Sequence, residues 1–295
     1  MLLWRRCRES ILESGKKKAS CISEEREEAL PEKVKGSRMK HHLIEKVGSV
    51  LNLFSFQQPE WGVREAAEAL DLPKSTMGDI LLSLADQGVL SRTSTGRYRL
   101  GWRLFELSQV LLEHTAFCIE ARRAMHELVE RWGETTHLAV LDGTQVLFVE
   151  KLQATPATTI MLSCVSVGSR FSAHGLAVGK VLLAYQAWFS LPTVLDKLEL
   201  VPYTPNTITT REQLIQELED ARHQGYACDR EEVTQGLCCV AAPIFDMDGR
   251  VPAAISFCIP AYRFFPQEDH YTEVIVRTAQ NISEKLGYRA KGVPI

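Results

Sequence analysis

Residues 71–100 read DLPKSTMGDILLSLADQGVLSRTSTGRYRL, and how this stretch is parsed decides the fold. Asp71, Leu72 and Pro73 make a tight turn: proline fixes its own φ and disfavours helix at the residue before it, so one helix ends ahead of Pro73 and another begins after it. From 74 to about 87, Met77, Ile80, Leu81 and Leu84 recur at helical spacing and form one inward face. Gly88 closes that helix, as a glycine past a helix end commonly does. Strands follow at 89–93 and 97–100, with Ser94, Thr95 and Gly96 as turn formers between them. Upstream, residues 62–70 (GVREAAEAL) form a short helix with Val63, Ala66, Ala67 and Leu70 inward. A loop covers 57–60, and Ile44, Val47, Val50, Leu51 and Phe54 mark an earlier helix. Helix, helix, turn, helix, hairpin is the element order of a winged helix-turn-helix.

Downstream, residues 102–114 carry an apolar stripe (Leu104, Leu107, Leu111, with Phe105 and Leu112 alongside) too greasy for a free linker, so it is expected to pack against a partner, a second chain being one candidate. An amphipathic helix at 119–132 leads into a larger domain. Strands are expected there at 136–141, 145–151, 158–165, 226–229, 237–245 and 251–259. Asp142–Gly143 and Asp248–Gly249 serve as turns between neighbouring strands. Helices are expected at 175–188, from Thr210 (with Gln213 completing a capping box) to Gly225, and at 267–286. There is no internal repeat. The layout is α+β, a mixed sheet flanked by helices like the α/β sensor folds that hold small ligands.

Composition bounds the function. The 295 residues are 45% apolar and 24% charged, ordinary for two globular domains. No apolar run approaches the ~18 residues of a membrane helix, and the basic N-terminus has no apolar stretch after it, so a cytoplasmic protein is expected. The eight cysteines include no C-x-x-C pair and several, such as Cys118, Cys164, Cys239 and Cys258, lie in apolar stretches; reduced, buried thiols are the simplest reading. Residues 1–40 hold eleven basic and seven acidic residues, a net of +4, with little periodicity, and are expected to be a disordered tail.

The overall charge of −3 does not announce a nucleic-acid partner, and residues 41–100 carry a net of −1. Local placement does. The helix after Pro73 opens with Lys74, Ser75 and Thr76, where free N–H groups and partial positive charge suit phosphate. Arg92, Arg97 and Arg99 flank the hairpin tip, within reach of the backbone or minor groove, while Glu65, Glu68 and Asp71 sit on the preceding helix and its turn. The rival is a helical hairpin used only for protein contact.

Several stretches together resemble the IclR family of bacterial transcriptional regulators: DLPKSTMGDILLSLADQGVLSR (71–92) and GRYRLGWRLFEL (96–107), then GETTHLAVLDG (133–143), HGLAVGKVLLA (174–184), TPNTITT (204–210), RHQGYACDREEVTQGLCCVAAPIFDMDGRV (222–251) and AAISF (253–257). The match covers roughly 43–288 in family order. The resemblance implies a winged helix-turn-helix over 41–101, a linker and dimerisation helix over 102–117, and a GAF-like effector-binding domain over 118–290. It implies a homodimer or homotetramer on a palindromic double-stranded DNA operator. It also implies a small carboxylate or sugar-acid effector, with repression of a catabolic operon the leading expectation. Carried over position by position, effector contacts fall on Ala173, His174, Gly175, Asp229, Leu237, Cys239, Ser256 and Cys258. The chain departs from the family pattern at Gly78 and Asp79, where an aromatic or His followed by Arg is usual; Asp79 would then accept from a cytosine amine. Cys238 stands where Arg is frequent, and Cys258 where serine is.

Three other chemistries fit less well. Gly175-x-x-x-Gly179-Lys180 looks like a phosphate loop but is one residue short and ends in Val181, without the hydroxyl that binds magnesium; Lys180 is expected at the helix surface. Cys239, His174 and Asp229 are the residue types of a thiol hydrolase, but an apolar strand raises a thiol's pKa. His41–His42 and the scattered cysteines fit no zinc spacing. No enzyme activity, cofactor or metal is expected.

Overall fold

The computed structural model describes residues 35–153, 165–186 and 191–289, with side chains described from residue 43 onward. The expected tail, most of the strand expected at 158–165, Cys164 and the His41–His42 side chains lie outside the described residues. Two compact units divide at His114 and Thr115.

The first unit runs α1 (Lys35–Leu51), β1 (Glu60–Trp61), α2 (Val63–Ala69), α3 (Lys74–Asp86), β2 (Leu90–Arg92), β3 (Tyr98–Leu100) and α4 (Trp102–Glu113). Val50, Ala66, Ala67, Met77, Ile80, Leu81, Leu90 and Tyr98 form its core, so the 3.6-residue pattern selects the buried faces of α2 and α3 as expected. Asp71 takes the left-handed conformation in the α2–α3 turn, and Gly88 does so after α3. Gly101 is held against the same turn: a Cβ there would lie 2.1 Å from the Gly88 carbonyl oxygen. Two differences from the sequence reading stand out. Glu60 and Trp61, read as loop, pair with Arg99 and Tyr98 and add a third strand to the wing, and the Trp61 indole donates to the Leu53 carbonyl. Ile44, one of the residues whose spacing marks the first helix, is exposed and does not join its buried face.

The second unit contains α5 (Ala116–Trp132), β4 (Thr135–Asp142), β5 (Gln145–Leu152), β6 (Arg170–Ser172), a 3-10 turn (Ala173–Gly175), α6 (Ala177–Ala184), α7 (Leu191–Lys197), α8 (Arg211–Gln224), β7 (Ala227–Arg230), β8 (Leu237–Ile244), β9 (Ala253–Pro260), α9 (Ala261–Phe264) and α10 (Glu268–Lys285). Six strands form one sheet in the order β6-β5-β4-β9-β8-β7. Every pairing in it is antiparallel, which corrects the expectation of a mixed sheet. Helix α6 and the 3-10 turn bury Ala139, Phe148, Ala227, Ala241 and Ala254 on one sheet face. The opposite face meets α5 and α10. The alanines matter: small side chains on the sheet let an apolar helix, buried along its whole length, lie close.

The helix expected at 175–188 is interrupted, because Leu176 is extended between the 3-10 turn and α6. The turn folds back onto the helix so tightly that a Cβ at Gly179 would lie 2.1 Å from the Ala173 carbonyl oxygen. Helix α7 and strand β6 had no counterpart in the sequence reading, since each is too short to display a period. Among the described residues, no helix is long and apolar enough to cross a membrane.

Candidate DNA-reading face and effector site

Helix α3 starts directly after Pro73, and no side chain caps it, so its first N–H groups remain open to an outside acceptor. Lys74, Ser75 and Asp79 are exposed and Thr76 is half-buried, while Met77, Ile80 and Leu81 anchor the helix from behind. Gly78 leaves room beside Val63 of α2. The polar row therefore faces outward on a helix fixed by its apolar row, as a groove-reading helix needs.

The wing arginines divide. Arg92 and Arg99 are exposed, and the Arg92 guanidinium lies 6.0 Å from the Tyr98 ring centre. Arg97 is already engaged. Its Nη1 and Nη2 donate to Glu65 at 3.1 and 2.8 Å, and Nη2 also donates to the Glu60 carbonyl at 2.9 Å. The Glu65 carboxylate accepts from the Gly62 amide as well, which closes the start of α2. The Arg97 hydrogen bonds hold the Glu65 carboxyl below its usual range and push the guanidinium up. Arg97 thus ties the third wing strand to α2, a use that competes with the DNA contact expected of it.

In the second unit, β7, β8, β9 and β4 bring most of the expected effector residues to one sheet face. Asp229 pairs with Cys239, Cys239 with Cys258, and Cys258 with Thr135, giving one row across four strands. Ala241, Ser256 and His137 form the next row. Directly paired residues in antiparallel strands share a face, and Leu237, two residues before Cys239, shares it too and packs with Cys239 and Cys258. Asp229 and Ser256 are buried. Burial pushes the Asp229 carboxyl up to about 7, and its Oδ1 accepts from the Glu232 amide at 2.7 Å.

The 3-10 turn carries Ala173, His174 and Gly175, all buried. His174 does not offer the charge or donor expected of it. Its Nε2 lies 3.0 Å from the Val201 carbonyl and so must donate, which leaves Nδ1 to accept from the Ser172 hydroxyl at 2.8 Å. Burial lowers its pKa and the ring stacks on Tyr203, so it is a neutral brace. The Ala173 amide donates to the Thr144 carbonyl. A Cβ on Gly175 would lie 3.1 Å from Val233, so the glycine admits a neighbouring side chain.

Lys180 corrects the surface placement read from the sequence. It is 1% exposed. Its Nζ donates to Glu232 at 2.6 Å, to the Cys228 carbonyl at 2.9 Å and to Glu217 at 3.0 Å. Beneath the site it ties α6 to the segment that begins at Asp229. Thr204 and Thr207 hold the same segment from the other side through the Glu231 and Glu232 carbonyls. A lysine so committed is unavailable to phosphate. The thiol-hydrolase arrangement fails on geometry too, since both His174 nitrogens are taken and the Cys239 thiol is held well above its ordinary pKa by the neighbouring Cys258 and by burial.

Sequence reasoning missed His137. It is buried opposite Ser256 and set edge-on to Phe148. Its alternation with Ala139 on β4 was the available signal. An open cleft of about 420 Å³ between Arg170, Lys197 and Tyr203 touches none of the expected effector residues.

Comparison with known proteins agrees with this layout. The family model described as IclR helix-turn-helix domain matches residues 43–94, and that described as Bacterial transcriptional regulator IclR C-terminal matches residues 109–284. The HTH-type transcriptional regulator XynR of Escherichia coli (strain K12) is 32% identical over 249 residues, 84% of this chain and 98% of that one. The HTH-type transcriptional repressor AllR of the same strain is 32% identical over 225 residues, 75% of this chain and 81% of that one. Among solved structures, the Thermotoga maritima IclR superposes with a TM-score of 0.65 at 30% identity, covering 84% of this chain and 100% of that one. An IclR homologue from Microbacterium hydrocarbonoxydans, complexed with 4-hydroxybenzoate, gives 0.73 at 28% identity, covering 83% of this chain and 98% of that one.

Proposed function

The chain belongs to the IclR family of bacterial transcriptional regulators, and from that premise we propose that it is a sequence-specific repressor of a catabolic operon, released by a small carboxylate or sugar-acid effector. The observation that carries the DNA half is the outward polar row of Lys74, Ser75 and Asp79 at an uncapped helix start. Ser75 and Asp79 read base edges, Lys74 and Thr76 hold phosphate, and exposed Arg92 and Arg99 meet the backbone beside the wing. The effector half rests on the face holding Asp229, Leu237, Cys239, Ser256 and Cys258, with the Microbacterium hydrocarbonoxydans homologue complexed with 4-hydroxybenzoate as support.

Helix α4 exposes Trp102 (79%), Phe105 and Val110 (57%), and we assign that face to a second copy of the chain. A dimer places two reading heads on the two halves of a palindrome, and an effector that favours one spacing of the heads changes operator affinity. The regulator acts in the cytoplasm without enzymatic turnover. Fluorescence anisotropy with the chain's own upstream DNA tests the reading: operator binding at least a hundredfold tighter than to random DNA, weakened by an acid effector, is the expected result. Equal affinity for both DNAs refutes it.

A further inference from the structure

We propose that His137 recognises a hydroxyl group of the effector, so that the regulator selects hydroxy acids over the corresponding unsubstituted acids. The inference rests on the effector reading above and adds to it a buried polar side chain on that face whose Nε2 has no partner among the described residues. His137 is 3% exposed, its Nε2 is enclosed, and it bonds to nothing among the described residues. A buried polar atom without a partner is uncommon and points to a group that arrives from outside. The ring belongs to the row Ala241, Ser256, His137, adjacent to the row Asp229, Cys239, Cys258, Thr135. Phe148, edge-on at 5.3 Å between ring centres, limits its rotation.

The chemistry of the missing partner follows from the charge state. Burial and the neighbouring Lys151, opposite His137 on β5, hold the imidazole neutral, its pKa lowered to about 3. A neutral imidazole has one N–H and one lone pair. A carboxylate is best met by a charged or all-donor group, which this buried ring beside Lys151 is not in the unliganded protein. A hydroxyl, itself donor and acceptor, matches either ring nitrogen in either tautomer. The effector carboxylate therefore lies away from His137 and its hydroxyl beside it. A site built to hydrogen-bond a hydroxyl rejects the analogue without one far more strongly than an apolar pocket distinguishes a methylene, because the buried polar group is left unpaired.

The test uses the full-length chain and three acid pairs, lactate with propionate, gluconate with hexanoate, and 4-hydroxybenzoate with benzoate, titrated by calorimetry against wild type, His137→Phe and His137→Gln. In wild type the hydroxy acid of at least one pair binds tenfold or more tightly than its partner. His137→Phe removes that preference by weakening only the hydroxy acid, and His137→Gln, which places an amide near Nε2, restores part of it. Wild type binding both members equally, or His137→Phe keeping the tenfold preference, overturns the inference and leaves the effector reading standing. Failure of all six acids to bind wild type overturns both. Should His137→Phe not fold, imidazole ¹⁵N shifts of wild-type His137 decide: they move with the hydroxy acid and not with its partner, and equal response to both overturns the inference.

Discussion

Replacing Lys180 by Met tests whether the proposed effector site stands on a buried charge cluster. The ammonium is fully enclosed and makes three hydrogen bonds, at 2.6, 2.9 and 3.0 Å. Its two carboxylate partners differ. The Glu217 side chain is 30% exposed and can rehydrate once the cation is gone, whereas that of Glu232 is 8% exposed and its Oε2 already lacks a partner among the described residues. Met fills nearly the same volume, so the loss is one of charge and not of packing. Breaking a buried pair by removing one partner costs about 3–5 kcal/mol, because the remaining charge is stranded. For a unit of this size the corresponding fall in melting temperature is on the order of 10 °C. Differential scanning calorimetry of the full-length chain should show the transition of the second unit falling by that amount while the winged domain is unmoved. The double variant Lys180→Met with Glu232→Gln should recover roughly 1–3 kcal/mol, since partners in one network couple. A loss under about 1 kcal/mol for the single variant, or no recovery in the double, would show that the cluster does not support the fold.

Four further outcomes are expected. Gly179→Ala should abolish folding of the second unit, judged by soluble yield and circular dichroism, because its Cβ would meet the backbone at Ala173; a wild-type melting temperature would contradict the close approach. Lys74→Ala and Arg99→Ala should each lower the slope of log affinity against log salt by about one, whereas Arg97→Ala should leave the slope alone and lower the denaturation midpoint of the winged domain. Asp229 ionises near 4 when unfolded and at about 7 when folded, so its contribution is complete below the unfolded value and is lost as pH rises through 7. Wild type should accordingly lose more thermal stability between pH 5 and pH 8 than Asp229→Asn, and identical profiles would reject the buried-carboxyl assignment. Trp102→Glu with Val110→Glu should shift the species seen by light scattering toward monomer, and an unchanged mass would place the copy-to-copy contact elsewhere.

Where local pattern and burial coincide, the chain is legible without coordinates. The Pro73 turn, the Met77-Ile80-Leu81 face and Gly88 define the reading helix because proline, glycine and helical periodicity act within a few residues. The residues carried over from the family resemblance, Asp229, Leu237, Cys239, Ser256 and Cys258, fall on one sheet face. The charge or donor expected of His174 is not offered, because its two ring nitrogens are consumed by Ser172 and by Val201, a residue 27 positions away. The extra wing strand at Glu60–Trp61 is two residues long and carries no period to detect.

Sequence by itself determined the order of the longer helices and strands, the buried faces of α2 and α3 and the family, since these follow from backbone chemistry and from residue spacing along the chain. Tertiary structure alone decided which polar side chains are spent and which remain free. Arg97 is taken up by Glu65 and Lys180 by Glu232, while His137 is left without a partner among the described residues. The physical reason is that a hydrogen bond is settled by distances of about 3 Å between residues far apart in the chain, and no local pattern records that distance.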